Sequence, residues 1–504
     1  MRIVTAEEMY KIDQYAIQCG GITGEMLMEN AGRSITKEVI KNLKKEDKVA
    51  VLVGGGNNGG DGFVIARTLL NLAYDVALFQ LVPNKKITNE ALYHKNLFEN
   101  YGGKVQVVET ASELEKFIPK ADVLVDAILG IGVKGAIREP VRSMIEVVNN
   151  HNAFVIAVDL PSGLPADEGF ELDVAIEANS TYIIEACKQS VFIESYAPYY
   201  GEWEVVEIGI PVKAYEAFPK SSVWDAEDLK ATFPKRNTFA HKGSQGKAVI
   251  IGGQLTMPGS MALTAGASLK AGAGLVTVAT IPEIIPIVAS KVTEATYFSL
   301  KSDAGILVES DLPDMNGYDA IALGMGMGRN SKSEALSYKV LHEKAPIVVD
   351  ADGLYHLKQF LGVLKERTSE TVLTPHPGEM AMLLDCEIKD VKKSPFALSK
   401  KFATEYGVYL VLKGKYTVIT SPCGEQTVSM TGNAGLAKGG SGDVLSGILL
   451  TFLMQHGSIF DAINNSCFIH GKAADLLIED SHTTTDLLAS DVIEGLPRVF
   501  CTFI

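Results

Sequence analysis

No uninterrupted apolar run in this 504-residue chain reaches the roughly 18 residues that a membrane-spanning helix needs, which argues against an integral membrane protein. Positive charge is in deficit. The 46 Lys and Arg residues face 61 Asp and Glu, a formal net charge of −15, which disfavours nucleic acid and anionic membrane as general partners. Any phosphate must then be bound locally, by backbone N–H groups and helix N-termini. Cysteine is sparse as well: six residues, scattered, with no CxxC pair. A paired-cysteine metal or redox motif is excluded, and reduced thiols in a cytosolic enzyme are expected. The opening MRIVTAEEMYKID has no apolar core of the signal-peptide kind, so the expected location is cytoplasmic. There is no short internal repeat.

What the chain does have is hydrophobic residues at 47%, many in short runs of Val, Ile and Leu. In the first half these are VAVLV before Gly54, DVALFQLV (75–82), KVQVVE (104–109), DVLVDAIL (122–129) and FVIAVDLP (154–161). In the second they are KAVIIGG (247–253), GLVTVAT (274–280), DAIALGMG (319–326), PIVVDAD (346–352), TVLTPHP (371–377) and VYLVLKG (408–414). Runs without polar alternation suit strands covered on both faces, and helical patterns lie between them. The fold class is α/β, with two doubly wound domains. A Pro-, Lys- and Ser-containing stretch, PVKAYEAFPKSS (211–222), reads as the linker, which puts the domains at 1–215 and 222–504. The first 25 or so residues read as a helical arm.

Ligands of open α/β sheets bind beyond the carboxyl ends of the strands. After the first strand comes GGGNNGGDG (54–62), where glycines admit a ligand close to backbone N–H groups and a helix over FVIARTLLNLAYD follows. The loop lacks the GK[ST] ending of a nucleotide-hydrolysing P-loop. A turn with Asp61 as helix cap is the alternative. Asp126 with GIGVKGA (130–136), and Asp159 with PSG (161–163), follow two later strands. Asn58, Asp126, Asp159 and Ser162 thus converge on one mouth, an oxygen-rich set fit for a hard cation such as K⁺ or Mg²⁺ and for an acid or base.

In the second half, NAGLAKGGSGDVLSG (433–447) sets small residues at the start of an apolar helix, with Asp443 poised to take a proton from an acceptor hydroxyl. An ordinary cap is the alternative for Asp443. His376 stands between Pro375 and Pro377, Lys413 ends a strand, and His470 reads as a core or surface residue rather than a catalytic one.

GGGNNGGDGFVIAR, DAILGIGVKGAIREP and VDLPSGL, followed by GEWEVVEIGIP, resemble the NAD(P)H-hydrate epimerase domain over about residues 1–215. The resemblance implies interconversion of the R and S forms of hydrated NADH and NADPH at ring carbon C6. It implies binding of the hydrate by Asn57, Asn58, Gly59, Gly60 and Asp61 and by Gly130, Ile131, Gly132, Val133, Lys134, Gly135 and Ala136. It also implies K⁺ on Asn58, Asp126 and Ser162, and Asp159 at the reacting carbon as acid and base. Ile131 stands where the family has threonine.

HKGSQG, KAGAGLVTVA, DADGL, TPHPGEM and NAGLAKGGSGDVLSG resemble the ADP- or ATP-dependent NAD(P)H-hydrate dehydratase, a ribokinase-like protein, over about residues 222–504. That resemblance implies nucleotide contacts from Lys413, Gly414, Lys415, Tyr416 and Thr417 and from Asn433, Ala434, Gly435, Leu436, Ala437, Lys438, Gly439, Gly440, Ser441 and Gly442. Gly326, His376 and Asp443 would contact the hydrate, and Mg²⁺ would accompany the nucleotide. Gln254 and Ser260 stand where serine and alanine are usual. A homo-oligomer is also implied. The rival reading is a ribokinase-like vitamin or sugar kinase with a non-catalytic N-terminal module. A sensing or assembly module in front is less consistent with the retained Asp126 and Asp159.

Overall fold

The computed structural model describes residues 1–218 and 221–504. The chain divides into two compact units, Met1–Pro219 and Lys220–Ile504.

The first unit is built on seven strands: β1 (Lys48–Val53), β2 (Asp75–Gln80), β3 (Val105–Val107), β4 (Val123–Ala127), β5 (Phe154–Val158), β6 (Ser180–Ile184) and β7 (Glu202–Val206). Their order is β3-β2-β1-β4-β5-β6-β7, and every neighbouring pair is parallel. Val49, Val51 and Val53 point to one face, against Phe63, Ile65 and Leu69, while Ala50 and Leu52 point to the other, against Met144, Ile145 and Val148. The uninterrupted apolar runs therefore report burial on both faces. The N-terminal segment is two helices, Ala6–Gln18 and Gly24–Val39, each begun by a threonine cap, Thr5 and Thr23. The run before the first helix, Ile3–Val4, pairs in parallel with Cys187–Lys188.

The second unit holds a ten-stranded sheet: β8 (Ser221–Trp224), β9 (Lys247–Ile251), β10 (Leu275–Thr280), β11 (Thr296–Ser299), β12 (Ala320–Leu323), β13 (Ile347–Val349), β14 (Thr371–Leu373), β15 (Tyr409–Leu412), β16 (Thr417–Thr420) and β17 (Gln426–Ser429). The order is β8-β17-β16-β15-β14-β13-β12-β9-β10-β11. It is parallel except where β15, β16 and β17 form an antiparallel meander. The helices Pro258–Lys270 and Ser441–Gln455 cross so tightly that a Cβ on Gly447 would lie 2.3 Å from the carbonyl oxygen of Thr264.

Three features depart from the sequence reading. The stretch 211–222 is not wholly irregular: Ala214 and Tyr215 are buried in the first unit and Ser221 already opens β8. Strands β6, β8, β11 and β17 went unread; β8 and β11 lie at the sheet's edges, where burial is one-sided. The helix after β1 begins at Asn57, so six of the nine residues read as a loop form its first turns. None of those glycines has a positive φ; the reason for glycine is space. A Cβ on Gly59 would sit 2.2 Å from the Gly54 carbonyl oxygen, and one on Gly62 2.6 Å from Val53 Cγ1.

Gly59→Ala should therefore destabilise the first unit by about 1–3 kcal/mol through overpacking, despite alanine's better helix propensity. Thermal unfolding of the variant would show the lower transition; an unchanged or raised midpoint would refute the steric reading.

Candidate active sites

The helix Asn57–Asn71 begins without a side-chain cap, at Gly56. Its first-turn N–H groups face the ends of β1 and β4, as an anion-binding helix start requires. A cavity of about 1080 Å³ opens there. Asn57, Asn58, Asp61, Gly130 to Ala136 and Asp159 all line it. Gly59 and Gly60 do not; they are packed beneath it, Gly60 against Met28. Ile131 reaches both the cavity and the apolar cluster under the N-terminal helices.

Asp126 and Ser162 lie behind the lining and hold each other. The Ser162 hydroxyl donates to Asp126 Oδ1 at 2.5 Å, and the Ser162 N–H donates to Oδ2 at 2.7 Å. Burial nevertheless pushes the Asp126 carboxyl up to about 6, against the hydrogen bonds from Ser162 and Ile128. Asn58 Nδ2 donates to the Leu129 carbonyl at 2.8 Å, while its Oδ1 is buried with no partner. An orphaned amide oxygen beside a buried carboxyl, a hydroxyl and a carbonyl is an oxygen set that suits a monovalent cation.

Asp159 follows β5 in the left-handed region, at φ +66°, a backbone strain of the kind concentrated at functional positions. Its Oδ1 accepts from Lys188 Nζ at 2.5 Å and from the Ile184 N–H at 3.0 Å. Lys188 also donates to the Ile184 carbonyl at 3.0 Å. Lys188, Tyr10 and Asp13 line the same cavity, and none was singled out from the sequence. Asp13 and Tyr10 sit on an amphipathic helix whose pattern reads as ordinary packing. Lys188 lies in IIEACKQSVF, a segment with no glycine signal. Burial raises Asp13 to about 6, opposed by Lys188 and reinforced by Asp159.

In the second unit, the helix Ser441–Gln455 starts at Gly440, in the left-handed region at φ +93°, again without a side-chain cap. Asp443 is therefore not the cap but the third residue of the helix. Burial and Asp350 raise it to about 6, against Ser260 and Lys413. Lys413 runs beside that helix start, its Nζ 3.5 Å from where a Cβ on Gly442 would lie. It donates to Asp350 Oδ1 at 2.9 Å and lies 3.9 Å from Glu379 Oε2. Ser446, one turn beyond Asp443, donates to Asp350 Oδ2 at 2.8 Å. Burial alone would raise Asp350, yet Lys413 and the hydroxyls of Thr374 and Ser446 hold it below the ordinary carboxylate range. Asp350, from DADGL, is the residue that sequence reading missed at this centre; its run of two aspartates after a strand was the available signal.

His376 caps the helix Pro377–Leu384. Its Nδ1 accepts from the Gly378 N–H at 3.0 Å, and its own N–H donates to Glu379 Oε2 at 2.9 Å. Gly326 takes φ +59° and packs against Met257 and Ser260. Lys413 to Tyr416 form the turn between β15 and β16, and Thr417 opens β16. Asn433 accepts from the Gly435 N–H and donates to Asp475, and Lys438 donates to the Thr485 carbonyl, which braces the 433–440 segment in front of the helix. Gln254 donates to Thr256. His470 is buried, and burial pushes it down to about 4, as a core residue.

The family described as YjeF-related protein N-terminus matches residues 24–190, and the family described as NAD(P)H-hydrate dehydratase matches residues 248–498. A protein of Moorella thermoacetica named bifunctional NAD(P)H-hydrate repair enzyme Nnr is 34% identical over 516 residues, covering 99% of this chain and 96% of that one. Its namesake in Escherichia coli is 32% identical over 494 residues, covering 98% and 93%. Among solved structures, the ADP/ATP-dependent NAD(P)H-hydrate dehydratase of Bacillus subtilis, co-crystallised with ATP/Mg²⁺, is 31% identical with a TM-score of 0.49, covering 56% of this chain and 99% of that chain. With both glycine-lined centres inside a match that runs the length of the chain, the protein belongs to the bifunctional NAD(P)H-hydrate repair enzymes.

Proposed function

We propose that the first unit epimerises hydrated NADH and NADPH at C6 and that the second dehydrates the S form at the expense of ADP or ATP. The observation that carries this reading is the pair of uncapped helix starts, each with a carboxyl on its first two turns, Asp61 buried and Asp443 half-buried.

In the second unit, Asp443 takes the proton of the C6 hydroxyl, and that oxygen attacks the terminal phosphoryl group of the nucleotide. The free N–H groups of Gly442 and Asp443 and the Lys413 ammonium face the charge that develops. Phosphate then leaves C6, driven by the ring-nitrogen lone pair, and loss of a proton from C5 restores the nicotinamide double bond. A kinase-type centre becomes a dehydratase because its phosphorylated product falls apart. Gly414 to Thr417 and the 433–442 segment flank the nucleotide, with Gly326 and His376 on the hydrate. Among the described residues no group of three or more His, Cys, Asp and Glu side chains is placed to hold a metal ion, so Mg²⁺ would be held chiefly by the nucleotide's phosphates and would neutralise their charge.

In the first unit, the backbone from Asn57 to Asp61 and from Gly130 to Ala136 cradles the dinucleotide, and Asp159 lies at the nicotinamide. Asn58 Oδ1, Asp126 and Ser162 would hold K⁺, which would offset the buried carboxylate and fix the Gly130 loop. No described helix is long and apolar enough to cross a membrane, and all six cysteines are free thiols. The free thiols support a reducing, cytoplasmic setting. We also propose a homo-oligomer.

Asp443→Asn should abolish recovery of reduced-nicotinamide absorbance from a mixed R/S hydrate with ADP or ATP. A stable phosphate ester as end product of the unaltered protein would instead support a kinase. Because Asp443 must be ionised to act as base, turnover should rise as pH climbs through about 6; a flat profile would remove Asp443 from that role. Asp159→Asn should stop once the S portion is consumed, and full conversion would refute its assignment.

The folded state favours protonated Asp126, whose value of about 6 lies above the ordinary 3.8. Its stabilising contribution is therefore present below the ordinary value and lost as pH rises through about 6. K⁺ binds the ionised form, so KCl should raise the unfolding temperature more at about pH 8 than at about pH 5 relative to choline chloride. Equal shifts at both pH values would count against the cation site.

A further inference from the structure

Six carboxyl groups line the epimerase cavity (Asp13, Asp61, Glu90, Glu109, Glu139 and Asp159), with Lys86, Lys134, Arg138 and Lys188 as its cations, and of these Asp13, Asp159 and Lys188 act on Asp61. They are not equivalent. Lys188 is committed to Asp159, which also takes the Ile184 N–H. Asp61 projects from the second turn of the uncapped helix, is 6% exposed and lines the cavity. Among the described residues its carboxyl has no hydrogen-bonding partner. A buried carboxyl with no donor upon it and two other carboxyls acting on it is unfavourable as an anion. Its open side faces the space the ligand must fill.

We propose that Asp61 is the proton donor of the epimerase half, protonating the C6 hydroxyl while the Asp159–Lys188 pair faces the ring cation that forms. This rests on the epimerase assignment above and divides the labour within it. The Asp61 O–H proton passes to the hydroxyl oxygen. The C6–O bond breaks, and its electron pair leaves with a neutral water molecule. The ring-nitrogen lone pair forms the C=N bond of an iminium ion, and Asp61 is left as carboxylate. Water adding to the other face of C6 forms a new C–O bond, the C=N electrons return to nitrogen, and the released proton goes back to Asp61. No other reactant is consumed. Two carboxyls set in opposite states by their surroundings is the usual arrangement for such a pair of roles.

The groups facing Asp61 support the same assignment. Burial, then Asp159 and Asp13, push its pKa well above the ordinary carboxylate range, and only Lys188 opposes them. Asp13 itself faces Lys188, Asp159 and Glu185 and is raised by burial, and Tyr10 faces Asp13 and Asp159. None of these places a free cation on Asp61.

The test uses the full chain with excess ADP or ATP and a mixed R/S hydrate, following R consumption after S is exhausted. Asp61→Asn, nearly isosteric, should lower kcat for R consumption at least about 100-fold, the range of lost acid–base catalysis, with KM within about threefold and S dehydration unchanged. Asp61→Glu should recover part of the rate. A raised KM with kcat intact would assign Asp61 to binding and overturn the proposal. Equal R consumption by Asp61→Asn and the unaltered protein would overturn it also. If the unaltered protein never consumes R, the epimerase assignment itself fails. A measurement on the unaltered protein guards against a variant that does not fold. In water enriched in heavy oxygen, each epimerisation should place heavy oxygen on C6, above an enzyme-free control. Inversion with the original oxygen retained would overturn the protonated-hydroxyl route.

Discussion

At both centres a parallel strand runs out towards an uncapped helix start, and the groups proposed for catalysis sit around that meeting. A Cβ at Gly59 would collide with the strand-end carbonyl of Gly54. One at Gly442 would meet Asp350 and Lys413 only at ordinary contact distance, whereas one at Gly440 would collide with Leu263. Glycine at the two cap positions, Gly56 and Gly440, leaves the first N–H groups free of the Ser, Thr or Asp side chain that would otherwise consume them. Elsewhere such caps are used freely, at Thr5, Thr23, Asp225 and Asn330. The bare helix starts are thus a local choice, one that leaves anion-binding capacity unspent.

The second common element is a pair of carboxyls driven apart by their neighbours. In the second unit Asp350 is held as an anion by Lys413 while Asp443, close by, is raised by burial and by Asp350 itself. In the first, Lys188 takes Asp159 and leaves Asp61 without a counter-ion. Each lysine thus sets two neighbouring carboxyls apart by binding only one of them.

The sheets were legible because burial on both faces removes the polar alternation that would blur a strand; β1, β4, β5, β9 and β12 stand where the apolar runs placed them. The strand ends then indicated Asp126, Asp159 and the Gly130 loop, because a parallel sheet gathers its ligands at one edge. Two kinds of feature stayed hidden. Glycines chosen for close packing look the same in sequence as glycines chosen for a loop, so the start of the helix at Asn57 was read too late. Side chains that arrive from outside the βα frame carry no spacing signal. Asp13 and Tyr10 come from the N-terminal helix, Lys188 from a two-residue strand paired with Ile3–Val4, and Asp350 bonds across to Lys413 and Ser446. Only the folded chain brings those groups together.

The contact between Lys413 and Asp350 joins residues 63 positions apart, each just past the end of a different strand, with the carboxylate almost wholly enclosed. Stripping one partner from such an enclosed pair strands a charge and typically costs about 3–5 kcal/mol. A lineage cannot cross that gap one substitution at a time without losing much of a protein's narrow margin of stability. The two positions are bound to a shared history: they persist together or are exchanged together. Among distant descendants of this chain, the surviving partner of an altered lysine would record whether the centre had been rebuilt or abandoned.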